Sequence, residues 1–195
     1  MRILLAGCSG SGKTTLAEYL GEKYNLKVLP SAARAVFAKT EFASYADMHV
    51  DPVAYGEFQR AVLFEQIRME NEAEDNYVSD RSVDQFAFCA IYGSPFQAWR
   101  SPEGQRYLKI LEMRAKNKKA LVVRVAPTRE VLEAALAQGS RKEYLDWEKM
   151  NQFDGAVQFI LKTCDIPHRV LHVANLEVRK AFLDQWIREL WGTNE

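Results

Sequence analysis

The sequence predicts an α/β fold: a three-layer sandwich with a mostly parallel sheet of about five strands. Three observations predict it. The segment Gly7-Cys8-Ser9-Gly10-Ser11-Gly12-Lys13-Thr14 fits G-x-x-x-x-G-K-[ST], and it lies between a short apolar run and a helical pattern. Short apolar runs alternate with helical patterns along the rest of the chain, the order that builds a parallel sheet. The 195 residues, 48% of them hydrophobic, suffice for one domain (1–195) with a core covered by helices on both faces.

The elements follow in order. Arg2 to Ala6 is an apolar run of the kind a buried parallel strand shows, and Leu16, Tyr19 and Leu20 after the motif have helical spacing. Lys27 to Leu29 is a second strand closed by Pro30. Residues 40–50 have weak periodicity and form a loop or short helices over the site. Asp51-Pro52 gives an N-cap and a proline at the first helical position, opening a long helix with Phe58, Val62, Leu63 and Ile67 on one face. Tyr77 to Ser79 is a third strand that ends at Asp80-Arg81, and residues 82–92 are helical up to Gly93-Ser94-Pro95. Ser101-Pro102 starts another helix by the same cap-and-proline signal. The clearest strand, 120–125, comes next, then a helix capped by Thr128 and a mostly helical stretch over 141–163. Residues 168–173 form the last strand, and Asn175 caps the final helix.

Composition narrows the function. Twenty-six basic and twenty-six acidic residues give zero formal net charge, which argues against bulk electrostatic attraction to nucleic acid while allowing a local basic face. No apolar run reaches membrane-helix length, and the motif begins almost at Met1, so a cytoplasmic protein without a signal peptide is expected. Cys8, Cys89 and Cys164 are few and scattered, as reduced thiols are. His49, His168 and His172 lack metal-ligand spacing, and no structural zinc is expected.

The chemistry begins at the phosphate-binding P-loop. Its glycines let the backbone wrap a triphosphate, so that the N–H groups of Gly7, Ser9, Gly10, Ser11, Gly12, Lys13, Thr14 and Thr15 and the helix N-terminus face the phosphates. Lys13, read as an exposed loop lysine, reaches the β- and γ-phosphates, and the Thr14 hydroxyl ligates Mg²⁺. Asp80 falls at the C-terminal end of a strand, the edge where open α/β sheets bind ligands. A carboxylate there either joins the Mg²⁺ shell or accepts the acceptor hydroxyl's proton, and Arg81 beside it clamps a phosphate. The aromatic residues Phe37, Phe42, Tyr45, Tyr55 and Phe58 fit either a base-stacking platform or core packing.

Taken together, residues 7–15, Arg34, Asp80-Arg81-Ser82 with Asp84, and Gly139-Ser140-Arg141-Lys142 resemble small P-loop kinases of the nucleoside and nucleotide type. The compact group that includes nicotinamide riboside kinase domains and phage kinases acting on modified pyrimidines is the most similar. The resemblance implies ATP and Mg²⁺ as cofactors, Asp80 and Arg81 serving acceptor and phosphates, and Arg34 and Asp84 on the acceptor side. It also implies a lid over about residues 139–155 that brings Arg141 onto the transferred phosphoryl group. The chain departs from the group at Ser31, where several relatives carry Glu. Asp80 is then the better general base, and Arg34 without a carboxylate neighbour suits an acceptor that already carries phosphate. The expected reaction is phosphorylation of a pyrimidine nucleotide-like acceptor, most specifically the hydroxyl of 5-hydroxymethyluracil in phage DNA. A free nucleoside monophosphate kinase, a nicotinamide riboside kinase and an NTPase switch or motor are the alternatives. Against a switch or motor, Asp80 is followed by Arg81 where a motor carries Glu, and no N-K-x-D base-reading motif occurs.

Overall fold

The computed structural model describes residues 1–93, 97–137 and 146–192. Five parallel strands form one sheet: β1 (Arg2–Ala6), β2 (Lys27–Leu29), β3 (Tyr77–Ser79), β4 (Leu121–Val125) and β5 (Arg169–Leu171), in spatial order β2-β3-β1-β4-β5. Register pairs Leu4 with Ser79 on one side of β1 and with Val122 on the other. The chain lays β2 and β3 to one side of β1, then crosses to the other for β4 and β5. That reversal leaves a crevice outside the carboxyl ends of β1 and β3, which is where ligands bind in such sheets.

Alternation along β1 divides the core. Ile3 and Leu5 point toward α1 (Lys13–Tyr24) and α10 (Leu176–Trp191), packing with Leu16, Leu20, Leu183 and Ile187. Leu4 and Ala6 point the opposite way, into a larger cluster supplied by α4 (Pro52–Glu72), α5 (Asp84–Tyr92), α7 (Pro102–Lys116) and α9 (Trp147–Thr163). Two helical layers therefore enclose the sheet, as expected. The remaining helices are α2 (Ala33–Phe37), α3 (Tyr45–His49), α6 (Gln97–Arg100) and α8 (Arg129–Ala137). α2 and α3 pack onto α4 around Val36, Met48, Phe58 and Val62, forming a small separate cluster beside the crevice.

The cap signals hold. Asp51 accepts from the N–H groups of Val53 and Ala54, Ser101 from Gly104 and Asn175 from Val178, each at 3.0 or 3.1 Å. In the weakly periodic stretch 40–50, Ser44 caps α3 by accepting from Asp47 N–H. α2 and α6 have no counterpart in the sequence reading, because five or four residues are too few to show a period. The last long helix before β5 begins at Trp147, where Asp146 accepts from Lys149 N–H at 2.7 Å. Of the expected lid, residues 147–155 are the first turns of α9, and Gly139, Ser140, Arg141 and Lys142 lie outside the described residues. Among the described residues no helix is long and apolar enough to cross a membrane.

Candidate functional site

The loop between β1 and α1 is shaped by its glycines. A side chain at Gly7 would collide with the Val125 carbonyl of the neighbouring strand, and Gly12 has φ +90°, a conformation L side chains rarely adopt. Gly12 also caps α1 without any side-chain hydrogen bond, so the first N–H groups of that helix are left for an anion. The loop is braced from behind by Arg179 of α10. Its guanidinium donates to the Ser11 carbonyl at 2.7 Å and, through Nε, to the Val173 carbonyl, tying the loop to the segment after β5.

Lys13 differs from the sequence reading. It is 5% exposed, not an exposed loop lysine, and its Nζ donates to the Gly7 and Cys8 carbonyls at 2.7 Å each. Burial, and then the positive Arg81 nearby, pull its ammonium below the ordinary lysine value, although Asp84 stands 3.9 Å away. Burial wins over attraction because the ion pair is long. An ammonium held this way gains strongly from a phosphate, which replaces two weak carbonyl partners with full charges.

At the end of β3, Asp80 is turned to the loop. Its Oδ2 accepts from the Thr14 hydroxyl at 2.7 Å, joining two residues sixty-six positions apart. The other oxygen, Oδ1, is buried and has no hydrogen-bond partner, and burial raises the carboxyl above its ordinary range. An oxygen pair of this kind, one hydroxyl and one carboxylate with an unused lone-pair set, fits a hard divalent cation such as Mg²⁺. Among the described residues there is no cluster of three or more His, Cys, Asp or Glu for a metal, so any such ion would be shared with substrate phosphates, as Mg²⁺ commonly is.

Arg81 spans the two halves of the crevice. One of its nitrogens reaches the Ser9 hydroxyl at 3.4 Å, another donates to Asp84 at 3.2 Å, and the guanidinium carbon sits 4.6 Å over the Phe88 ring. Asp84, expected on the acceptor side, is fully buried instead. Its carboxylate accepts from the Ser82 N–H at 2.7 Å and from Arg81, so it stands behind Arg81 and fixes it. Cys8 is buried, and burial pushes its thiol up to about 11, so it is no nucleophile.

Beyond Arg81 the crevice opens into a cavity of about 370 Å³, the size of a small-molecule site. Its walls are aromatic: Tyr45, Tyr55, Phe58, Phe88, Tyr92 and Phe153. His49 packs at a tilt against Tyr55 with ring centres 3.7 Å apart, and Phe37 stacks on Tyr45 at 4.1 Å. Of the five aromatics noted in the sequence, three therefore line the cavity, while Phe37 and Phe42 pack behind it. At one wall Gln85 donates to the side chain of Gln59 at 2.8 Å, and Lys149 approaches from α9. Arg34 lies beside Ala33, which lines the cavity, with its own side chain exposed. Ser31 accepts from Ala33 N–H at 3.4 Å. Sequence reasoning missed Gln59, Gln85, Lys149 and Arg179, none of which belongs to a local motif.

Comparison with known proteins agrees with this geometry. A family model described as AAA domain matches residues 2–179. No curated protein matches the sequence. Among solved structures, a deoxyadenosine kinase from M. mycoides with its products dCMP and dCDP is similar at a TM-score of 0.67 and 13% identity, over 97% of this chain and all of that one. The NadR protein in complex with NR is similar at 0.69 and 14%, over 99% of this chain but 52% of its own. Shikimate kinase from Acinetobacter baumannii in complex with shikimate is similar at 0.53 and 17%, over all of this chain and 95% of that one. At these identities the likeness is one of fold: that of the P-loop kinases.

Proposed function

The chain belongs to the AAA domain family, and on that premise we propose that it is an ATP-dependent kinase acting on a nucleotide-type acceptor. The observation that carries the reading is the joining of Asp80 to Thr14 at 2.7 Å, with Arg81 reaching from the Ser9 hydroxyl to an aromatic cavity. Cys8 and Ser9 of the loop and Arg81, next to Asp80 in the chain, line the same cavity as the aromatic side chains. The kinase fold of the deoxyadenosine kinase and NadR structures supports it, as do the nucleotide and NR that those two structures hold.

Thr14 and Asp80 would hold Mg²⁺, which when bound supplies neutralising charge for the β- and γ-phosphates. Lys13 and the N–H groups of residues 9–15 hold the triphosphate and orient its terminal group. Arg81, kept in place by Asp84 and Phe88, offers its guanidinium where charge spreads during transfer. In the alternative role, with no ion on it, the Asp80 carboxyl is made more basic by burial and accepts the proton of the attacking hydroxyl. The resemblance to P-loop kinases assigns Arg141 to the transferred phosphoryl group. The aromatic walls take a planar ring, and a pyrimidine suits a space of about 370 Å³.

The finest form of the proposal, transfer to a 5-hydroxymethyluracil hydroxyl in DNA, draws on the resemblance to modified-pyrimidine kinases. The motor or switch reading is disfavoured by Arg81, which faces the aromatic cavity with its Phe88 contact and stands where a hydrolytic Glu would be. One screen tests these readings: labelled ATP offered with nucleosides, mononucleotides and hydroxymethyluracil-containing DNA. Label on a nucleotide or on DNA supports the proposal. Hydrolysis to phosphate with every acceptor untouched would overturn it.

A further inference from the structure

Behind the strand end that carries Asp80 and Arg81 runs a buried polar chain that the reaction above does not use. Glu70 of α4 is 2% exposed. Its Oε2 accepts the Tyr107 hydroxyl at 2.9 Å, and its Oε1 lies 3.0 Å from the Ser79 hydroxyl. Ser79 Oγ also lies 2.5 Å from the Arg81 carbonyl and receives the Gln66 amide at 2.9 Å. On the far side, Ser82 Oγ is 3.3 Å from the Tyr107 hydroxyl. One carboxyl group is thus tied to the residues on both sides of Asp80-Arg81.

Counting hydrogens decides the state of that group. Ser79 has a single hydroxyl hydrogen and two oxygens within reach. With Glu70 ionised, the hydrogen goes to Glu70, and the Arg81 carbonyl faces the Ser79 oxygen with nothing between them. With Glu70 protonated, Oε1–H donates to Ser79, Ser79 donates to the Arg81 carbonyl, and Ser82 donates to Tyr107, which donates to Oε2. Only the neutral acid satisfies every contact.

We propose that Glu70, as the neutral acid, is a positioning residue: its proton secures the Ser79–Arg81 bond and so fixes the directions of the Asp80 carboxylate and the Arg81 guanidinium. The kinetic part of this inference rests on the phosphoryl-transfer reading; the protonation part does not. The groups facing Glu70 are Tyr107 and Arg114 from α7 and Tyr77 from β3, with Gln66 on its own helix. Burial outweighs the hydrogen bonds and the charge of Arg114, and holds the carboxyl at about 7. Above that point the carboxylate takes the Ser79 hydrogen and releases the Arg81 carbonyl.

Wild type, Glu70→Gln and Tyr107→Phe are compared for acceptor kcat/KM and for Tm between about pH 5 and about pH 9. Gln keeps a donor toward Ser79 and an acceptor toward Tyr107 and does not titrate. Wild-type kcat/KM is expected to fall several-fold on the alkaline side, and Glu70→Gln to lose that fall. Tyr107→Phe removes a bond that holds the carboxyl down, so its fall moves to higher pH. The stability arm reads no catalysis. A carboxyl raised on folding from 4.5 to about 7 contributes stability that is fully present below the lower value and lost as pH rises through the upper one. Wild-type Tm should therefore drop across that window relative to Glu70→Gln, and if Glu70→Gln does not fold, Tyr107→Phe shows the same drop displaced upward. Parallel Tm curves, or an alkaline fall that persists in Glu70→Gln, would overturn the inference. Diverging Tm curves with no transfer by wild type at any pH uphold the neutral acid and defeat the kinase reading instead.

Discussion

The donor end of the crevice is made of backbone from one continuous segment, residues 7–15, whereas the acceptor end is made of side chains from α2, α3, α4, α5 and α9. At the donor end the glycine dihedrals and the N–H groups of α1 define the shape, and Arg179 locks it from behind. Little there can adjust. At the acceptor end stacked rings and a pair of glutamines define the shape, with three groups each from α3, α4, α5 and α9 and one from α2. The difference separates two kinds of recognition. On the proposed kinase reading, a triphosphate that is the same in every reaction would meet fixed dipoles, while the acceptor would meet a surface that single substitutions can retune.

The comparison breaks most visibly at Lys13. Lys13→Ala should lower turnover by several orders of magnitude, because the loop's own cation is lost. Acceptor affinity should remain, and circular dichroism should stay native, since water entering the vacated space can donate to the two loop carbonyls that Lys13 bonds. Near wild-type turnover would mean that the loop is not the donor site.

Asp80→Asn probes the junction of the two ends. The amide keeps shape but loses charge and basicity, and it should reduce kcat by about 10²- to 10³-fold while ATP affinity changes little. Its effect should be smaller than that of Lys13→Ala, as the Thr14 contact survives in the amide. A nucleotide-bound structure with Asp80 turned from the phosphates would remove it from the mechanism.

A third test stays within the acceptor end. Tyr55→Leu keeps apolar bulk but removes a ring that packs against His49 at the cavity wall. A lost base–aromatic contact is worth about 1–3 kcal/mol, so acceptor KM should rise at least about fivefold with ATP KM unchanged. An equal rise for both substrates would show that the two ends are not independent.

The same contrast explains what could be read in advance. The loop with Lys13 and Thr14, and the position of Asp80 just after a strand, could be placed in the fold because motif and strand end are local patterns, and all five strands fell where short apolar runs stood. The cap-and-proline signals at Asp51-Pro52 and Ser101-Pro102 marked helix starts for the same reason. The acceptor cavity was not legible as a whole. Phe88, Tyr92 and Phe153 sit on apolar helix faces that look like ordinary core, and Lys149 and Gln59 carry no periodic signal. Asp84 misled by its nearness to Asp80-Arg81. At three residues from Arg81 it turns inward to meet Ser82 N–H and the guanidinium, so a charge that looked available to substrate is consumed within the protein. Lys13 misled differently, because a loop lysine reads as exposed until the carbonyls it folds onto are known.

The smallest expected effect belongs to Arg34, and it is the one that separates acceptors. Its side chain is exposed next to a wall residue, Ala33, so any bond it makes to an acceptor phosphate is screened by water. An exposed charge pair contributes roughly 0.2–1 kcal/mol, so Arg34→Ala should raise acceptor KM only about two- to fivefold, with ATP affinity unmoved. Salt tells more than that ratio. If the acceptor is DNA, log kcat/KM should fall steeply with log salt, and Arg34→Ala should flatten the slope by close to one phosphate, about 0.7–0.9. With a mononucleotide the slope is shallow from the start and the substitution changes it little. Efficient phosphorylation of an uncharged nucleoside, equal in wild type and Arg34→Ala, would remove the acceptor phosphate from the proposal and leave Ser31, not Arg34, as the position to explain.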